Sequence, residues 1–203
     1  QLAAMDHGYD SATLEAYAEK QRQEATAGND IVAVTIPGTK KTPPVDITED
    51  STGEGVTALP CDGAAFLLMM TAEKAKELGY EPYARWVVGT DFGVEPRYMG
   101  IGPAYSNLKL LQKQGMKVSD IDVFECNEAF AAQTLGVQRE LNIPLEKLNI
   151  RGGAIALGHP YSATGVNLAA KAAGIFARND FERCAISFCC GGGQGVAAIF
   201  EKC

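Results

Sequence analysis

The sequence predicts an α/β fold in which a mixed β-sheet carries helices packed on it. Two observations support this prediction. Short apolar runs typical of strands alternate with helical stretches along most of the chain, and the last two apolar runs, CAISFC and VAAIF, are joined by a glycine-rich turn. With 203 residues, of which 46% are hydrophobic and 21% charged, the chain can bury a substantial core.

The first part of the chain is predicted to contain a helix, an irregular connection and one strand-helix unit. Asp10 or Ser11 can cap a helix that runs to about Ala27. Residues 29–55 mix short β-like pieces such as IVAVTI with Pro, Gly, Thr and acidic residues, which is typical of an irregular connection. The run AAFLLMM predicts a strand buried on both faces, and TAEKAKELG predicts the helix after it.

The second part alternates strands and helices more regularly. RWVVGTDFG predicts a strand, followed by a helix around Asn107 to Gln114, a strand at IDVFEC and a helix from Ala129 to about Leu141. NIRGGAIALG is interpreted as a short β-like piece. An Ala-rich helix is predicted from Ala163 to Ala177, with Ser162 as its cap, before the two final strands.

Composition and charge argue against several classes of function. The formal net charge of -7 is opposite in sign to the basic surface that nucleic acid selects. No apolar run is long enough for a membrane span, and the first residues lack the pattern of a signal peptide, so we expect a cytoplasmic protein. An organellar matrix stays open as an alternative because an earlier N-terminus can be missing. The six cysteines form no CxxC pair, which favours free thiols in a reducing compartment and no zinc site.

Two candidate functional residues follow predicted strands or lie in glycine loops. Asn127, in NEAF, can cap the next helix, with Glu128 near the positive end of that helix dipole, or it can bind a water or a substrate oxygen. His159 lies between a glycine and a proline, where its backbone is restrained, and a structural role is as compatible with this position as a catalytic one. His7 is interpreted as an ordinary surface residue.

A third candidate lies at the glycine turn between the last two strands. Cys189 or Cys190 at its mouth places a thiol beside backbone N–H groups that can stabilise a thiolate or a developing oxyanion. The other cysteines are interpreted as small apolar or incidental residues: Cys61, Cys126, Cys184 and Cys203. A thiol, an imidazole and an amide on separate loops form a constellation suited to acyl-group chemistry.

Three motifs resemble those of the thiolases, a family that cleaves 3-ketoacyl-CoA with CoA or runs the reverse Claisen condensation. They are NEAFAAQ from Asn127, GGAIALGHP ending at His159 and Pro160, and C-x-G-G-G-x-G from Cys189, with weaker agreement at MGIGP and DGAAFLLM. The resemblance implies a thiolase-like layered fold. Residues 84–203 would form the C-terminal thiolase domain, residues 56–83 the last strand and helix of the N-terminal domain, and residues 1–55 a remnant of the loop region.

The resemblance also implies roles for individual residues. His159 would activate the nucleophile and help to hold the thioester oxygen, and Asn127 would fix the water that completes this first oxyanion hole. Cys189 would move the proton on and off the α-carbon or the leaving thiol. Gly191 would donate its backbone N–H to a second oxyanion hole.

Substrates and partners follow from the same resemblance. Met99 and Phe130 would line the acyl and pantetheine pocket, and acyl-CoA and CoA would be substrates, with no permanently bound cofactor and no metal. The resemblance implies the oligomeric state of the family, whose members form dimers or tetramers, so a homo- or hetero-oligomer is expected.

The sequence also departs from the family pattern. None of its cysteines stands in the motif of the nucleophile, which belongs to an N-terminal half that must come from the same parent chain or from a separate subunit; without it the chain would be inactive. The Thr-x-Gly-Asn-Ser type segment that contacts the CoA arm is shortened and carries Pro60 and Cys61, and Ser162 replaces a common glycine. Two alternatives stay open: a non-catalytic interaction or scaffold subunit, and an independent thiol enzyme using Cys189 with His159.

Overall fold

The computed structural model describes residues 8–27, 34–37, 45–47 and 52–203. His7 and most of the predicted irregular connection lie outside these residues. Two short strands of that connection are described, β1 (Val34–Ile36) and β2 (Val45–Ile47), and they pair antiparallel.

The first helix, α1 (Ser11–Ala27), has the predicted bounds and cap. The N–H of Thr13 donates to Oδ1 of Asp10 over 2.8 Å, which satisfies one of the free donors of the first turn. Tyr17, Ala18 and Gln21 are buried on one face of α1. That face packs the helix against the C-terminal part of the chain.

Four strands form the mixed sheet that the sequence predicts. They are β3 (Ala84–Gly93), β4 (Val123–Cys126), β5 (Arg183–Cys190) and β6 (Gln194–Lys202), arranged in the order β3-β6-β5-β4. Strands β4 and β5 are parallel, whereas β6 is antiparallel to both of its neighbours. The α/β fold class is therefore confirmed.

The longer helices cover both faces of this sheet. The helices beyond α1 are α2 (Ala72–Leu78), α3 (Gly102–Gln114), α4 (Ala131–Leu141), α5 (Ala154–Leu157) and α6 (Thr164–Arg178). Ala185 packs in the same cluster as α3, and its neighbour Ile186 packs in the same cluster as α6. Because successive strand residues point to opposite faces, α3 and α6 lie on opposite sides of the sheet.

Short 3-10 turns connect these elements. They are found at Pro96–Ile101, Val118–Asp120, Leu145–Lys147 and Tyr161–Ala163. None of the helices in the described part of the chain combines the length and apolarity needed to cross a membrane.

The prediction of a buried strand at AAFLLMM is wrong. Residues 61–70 form neither helix nor strand, and the side chains of Phe66 and Leu68 are 89% and 76% exposed. A strand needs neighbours for its backbone groups and its side chains, and no described strand lies beside this segment. The following helix, α2, is confirmed, with Thr71 as its cap and Gly79 in the left-handed conformation at its end.

Two local predictions near the second glycine loop are also wrong. The stretch NIRGGAIALG contains the helical turn α5 instead of a β-like piece, and the Ile155 N–H at its start donates to the carboxylate of Glu128. Ser162 does not cap α6, because a 3-10 turn runs directly into this helix and Ala163 occupies the cap position with helical backbone angles.

Candidate active site

Asn127 lies at the corner between β4 and α4. Its backbone N–H donates to the carbonyl of Ser187 on β5 over 2.8 Å, which continues the sheet by one bond beyond Cys126. The cap position of α4 is Phe130, without a side-chain cap, so the helix-cap interpretation of Asn127 is wrong. The Nδ2 atom of Asn127 instead lies 3.3 Å from Nε2 of His159.

Glu128 is fully buried and lies outside the first turn of α4, which makes its predicted interaction with the helix dipole wrong. Its carboxylate accepts hydrogen bonds from the Tyr17 hydroxyl (2.7 Å), the Asn149 amide (2.8 Å) and the Ile155 N–H (3.1 Å). Burial raises the pKa of this carboxyl, and these hydrogen bonds oppose the rise. The carboxylate thereby ties α1 and the loop that carries His159 to the Asn127 corner.

Gly153 explains how the carboxylate of Glu128 fits beneath the loop. A Cβ atom at Gly153 would lie 2.2 Å from the carboxyl carbon of Glu128, so only glycine allows this approach. The two glycines of the motif that precedes His159 are therefore packing requirements. This contact links the NEAF motif physically to the GHP motif.

His159 is held by both its backbone and its ring. Its N–H donates to the Leu59 carbonyl over 2.9 Å, and its carbonyl accepts the Cys61 N–H over 3.4 Å. Nδ1 of the ring lies 2.8 Å from Oγ1 of Thr164, and Tyr161 makes an edge contact with the ring. Burial lowers the pKa of this half-buried imidazole, which favours the neutral form of the ring.

The shortened segment that carries Pro60 runs parallel to the backbone of His159. Cys61, which the sequence suggests is incidental, is exposed, but its Sγ would lie only 2.7 Å from a Cβ atom at Gly158. Burial and then the charge of Asp62 raise the pKa of the Cys61 thiol, which keeps it protonated at neutral pH. This segment thus acts as a backbone support for the histidine loop.

Cys189 lies on β5 opposite Gly195, two residues beyond the Ser187 carbonyl that binds Asn127. Burial raises the pKa of the Cys189 thiol to about 11. The thiol is therefore protonated at neutral pH, because burial outweighs the backbone hydrogen bond that lowers its pKa. A protonated thiol is suited to donate a proton.

The glycines of the turn after Cys190 differ in how closely other atoms surround them. Gly193, with φ +92°, would place a Cβ atom 2.2 Å from the Val94 carbonyl oxygen, so it is needed for close backbone approach. Gly191 is exposed, and a Cβ atom there would meet nothing within 4 Å. The backbone at Gly191 is therefore open to a ligand.

The structure brings together the elements that carry Met99 and Phe130. Met99 lies in the turn Pro96–Ile101, which packs against α4, β5 and β6, and Phe130 lies at the start of α4. Both residues are half-buried. They are placed at the same end of the sheet as Asn127 and the glycine turn.

Two residues of this site were not anticipated from the sequence. Thr164 contacts the His159 ring, and Leu59 binds the His159 backbone. The position of Thr164, five residues after His159 at the start of a predicted helix, was a usable signal for the first contact. No local pattern indicates the second. Within the described residues, no group of three or more His, Cys, Asp and Glu side chains could hold a metal ion.

The geometry can be compared with known proteins. Residues 80–202 match the family model described as "Thiolase, C-terminal domain". The chain is 49% identical over 142 residues to a "Probable acetyl-CoA acyltransferase" of Staphylococcus aureus strain NCTC 8325 / PS 47, an alignment that covers 70% of this chain and 36% of the relative. A protein of the same description from strain N315 matches at the same identity and coverage.

Two solved structures share the fold. The crystal structure of human mitochondrial 3-ketoacyl-CoA thiolase superposes with a TM-score of 0.82 at 29% identity, over 98% of this chain and 58% of that protein. The Bacillus anthracis acetyl-CoA acetyltransferase superposes with a TM-score of 0.80 at 30% identity, over 99% of this chain and 58% of that protein. The chain thus spans less than two thirds of each relative, and its mixed sheet with packed helices is the thiolase fold. On the match that covers residues 80–202, the chain belongs to the thiolase family and contains its C-terminal domain.

Proposed function

We propose that this chain is the C-terminal portion of a thiolase that transfers acyl groups between CoA thioesters, and that an N-terminal half supplies the nucleophilic cysteine. The contact between Asn127 and His159, beside the strand that carries Cys189, is the observation that carries this proposal. The amide and the imidazole are in contact at the end of the sheet where β5 carries Cys189, which supports a shared role for the three side chains. The N-terminal half would belong to the same parent chain or to a separate subunit.

In the proposed thiolysis, Nε2 of His159 takes the proton of the nucleophilic cysteine of the N-terminal half, and the resulting thiolate attacks the keto carbon of a 3-ketoacyl-CoA. The Cα–Cβ bond then breaks, the acyl group stays on that cysteine, and Cys189 gives its proton to the α-carbon of the departing acetyl-CoA enolate. The Cys189 thiolate next accepts the proton of CoA, whose sulfur takes the acyl group and releases the nucleophilic cysteine as a thiolate. That thiolate regains its proton from Nε2 of His159, which restores the starting state. The reverse sequence is the Claisen condensation.

The oxyanions of these steps need donors. Nε2–H of His159 and a water held by Asn127 would serve one, and the backbone N–H of Gly191 the other; losing one such donor typically lowers the rate by about 10² to 10³. The open space at Gly191 supports this assignment. Met99 and Phe130 would line the pocket for the acyl and pantetheine groups, consistent with their elements meeting near the glycine turn.

The exposed apolar side chains of residues 61–70 support a division of the chain into parts of different thiolase domains. We propose a loop-region remnant at 1–55, the last segment of the N-terminal domain with helix α2 at 56–83, and the C-terminal domain at 84–203. Residues 56–83 include the exposed Phe66 and Leu68, which an N-terminal half would cover. The proposal includes a homo- or hetero-oligomer and a cytoplasmic location, acyl-CoA and CoA as substrates, and no permanent cofactor.

The test is native and intact mass spectrometry of the protein purified from its source, before and after incubation with an acyl-CoA. The expected result is a co-purifying N-terminal half whose cysteine gains the mass of the acyl group, and loss of this acylation in the His159→Ala variant. The His7→Ala variant is the matched control, because the chain has two histidines, and it should acylate normally.

Two results would contradict the proposal. A lone chain that carries the acyl group on Cys189 would indicate an independent thiol enzyme. A complex that turns over thioesters equally well with Cys189→Ala would indicate a scaffold subunit without a catalytic role.

A further inference from the structure

The hydroxyl of Thr164 contacts the ring nitrogen of His159 that faces away from Asn127. Its Oγ1 lies 2.8 Å from Nδ1, and Thr164 is 5% exposed at the start of α6. The turn Tyr161–Ala163 brings the helix start back onto the histidine. The Thr164 side chain is therefore largely shielded from water at this contact.

The contacts on the two ring nitrogens together determine where the ring proton lies. Nε2 faces Nδ2 of Asn127 at 3.3 Å, and an amide NH2 group can only donate. Nε2 must therefore accept. A neutral imidazole carries a single N–H, so the proton is on Nδ1 and Nδ1–H donates to Oγ1 of Thr164.

Hydrogen bonds hold the backbone of His159 on both of its polar groups, which limits where the ring can lie. Its N–H and its carbonyl are bonded to Leu59 and Cys61, respectively, on the segment that runs beside it. With the backbone fixed on one side, the Thr164 hydroxyl on Nδ1 sets the rotation of the ring together with Asn127 on Nε2 and the edge contact of Tyr161. A hydroxyl is neutral, so it orients the ring without the rise in basicity that a carboxylate partner would cause.

We propose that Thr164 is a positioning residue that keeps the proton of His159 on Nδ1 and directs the Nε2 lone pair toward Asn127 and the reacting thiol. The catalytic consequence rests on the proposed function: an imidazole with its proton on Nε2 could not accept a thiol proton at that atom. Thr164 itself touches no reacting atom in this arrangement. It acts through His159 alone.

The experiment is long-range ¹H–¹⁵N NMR of the full chain labelled with ¹⁵N-histidine, with the N-terminal half bound where it co-purifies. The chain has two histidines, and a His7→Gln variant assigns the signals of His159. We expect a single Nδ1–H tautomer for His159 at pH 7 to 8. Thr164→Ser, which keeps the hydroxyl, should retain it. Thr164→Val leaves Nδ1–H without its acceptor, which offsets the preference set by Asn127, so this variant should lose the single-tautomer pattern and gain Nε2–H.

Two outcomes would overturn the proposal: an Nε2–H tautomer in the unaltered protein, or the unaltered tautomer persisting in folded Thr164→Val. If that variant fails to fold, Thr164→Ala replaces it, and the measurement on the unaltered protein is decisive by itself. The tautomer is measured without turnover. Failure of the acylation test would therefore leave this result standing, and failure here would leave the acylation result standing.

Discussion

The burial of Cys189 favours the protonated form of its thiol. Because burial raises its pKa to about 11, the thiolate fraction at pH 7 is about 10⁻⁴. The thiolate is the species that reacts with alkylating agents. We therefore expect alkylation of Cys189 by iodoacetamide at pH 7.5 to be about 10²-fold slower than that of glutathione, and to rise about tenfold per pH unit up to about pH 11.

Peptide mass spectrometry of the Cys190→Ser variant would measure this rate without interference from the adjacent thiol. A Cys189 that reacts as fast as glutathione at pH 7.5 would mean that backbone N–H groups do stabilise the thiolate, as the sequence suggested. In that case Cys189 would be a better nucleophile than proton donor. The rate thus separates the two roles of this residue.

The sequence identified the individual residues of the candidate site, but it did not predict which of them contact each other. Asn127, His159 and Cys189 stand in motifs that can be read directly from the sequence. The contact between Thr164 and His159, by contrast, depends on a 3-10 turn where a helix cap was expected at Ser162. Glu128 could be placed after Asn127 but not beneath Gly153, because that approach joins segments far apart in sequence.

Two glycines in the turn between β5 and β6 should respond differently to substitution by alanine. Gly191→Ala should change the free energy of unfolding by no more than about 0.5 kcal/mol, because a methyl group there meets nothing within 4 Å. Gly193→Ala should destabilise the protein by about 2 kcal/mol or more, because its methyl group would lie 2.2 Å from the Val94 carbonyl oxygen and its φ is +92°. Urea unfolding of the two variants, followed by circular dichroism, measures the difference.

The two glycines are matched controls for each other, since they lie in the same turn and undergo the same chemical change. Equal destabilisation of both variants would show that Gly191 is also needed for packing. It would then be unsuitable as a probe of the proposed oxyanion hole. A stable Gly191→Ala variant would allow its effect on acyl transfer to be attributed to the site.

At the scale of the whole molecule, the sequence predicted the strands of the four-stranded sheet, but it wrongly predicted a buried strand within residues 61–70. All four strands of the sheet were recognisable because they find their partners within this chain. An apolar run indicates that a segment is suited to burial, but it does not indicate whether the strands that would cover it belong to the same chain. AAFLLMM was therefore predicted as buried although no described strand covers it.

The exposed apolar segment should be where the N-terminal half docks. Phe66 and Leu68 are 89% and 76% exposed, and fully burying one such side chain stabilises a complex by roughly 1.5–3 kcal/mol. The double variant Phe66→Ser/Leu68→Ser should therefore bind the N-terminal half at least about 10²-fold more weakly, as measured by sedimentation velocity of the mixed chains. Leu145→Ser, which alters an exposed leucine in another turn, is the control and should bind normally. If the double variant binds as tightly as this control, residues 61–70 are not the docking surface.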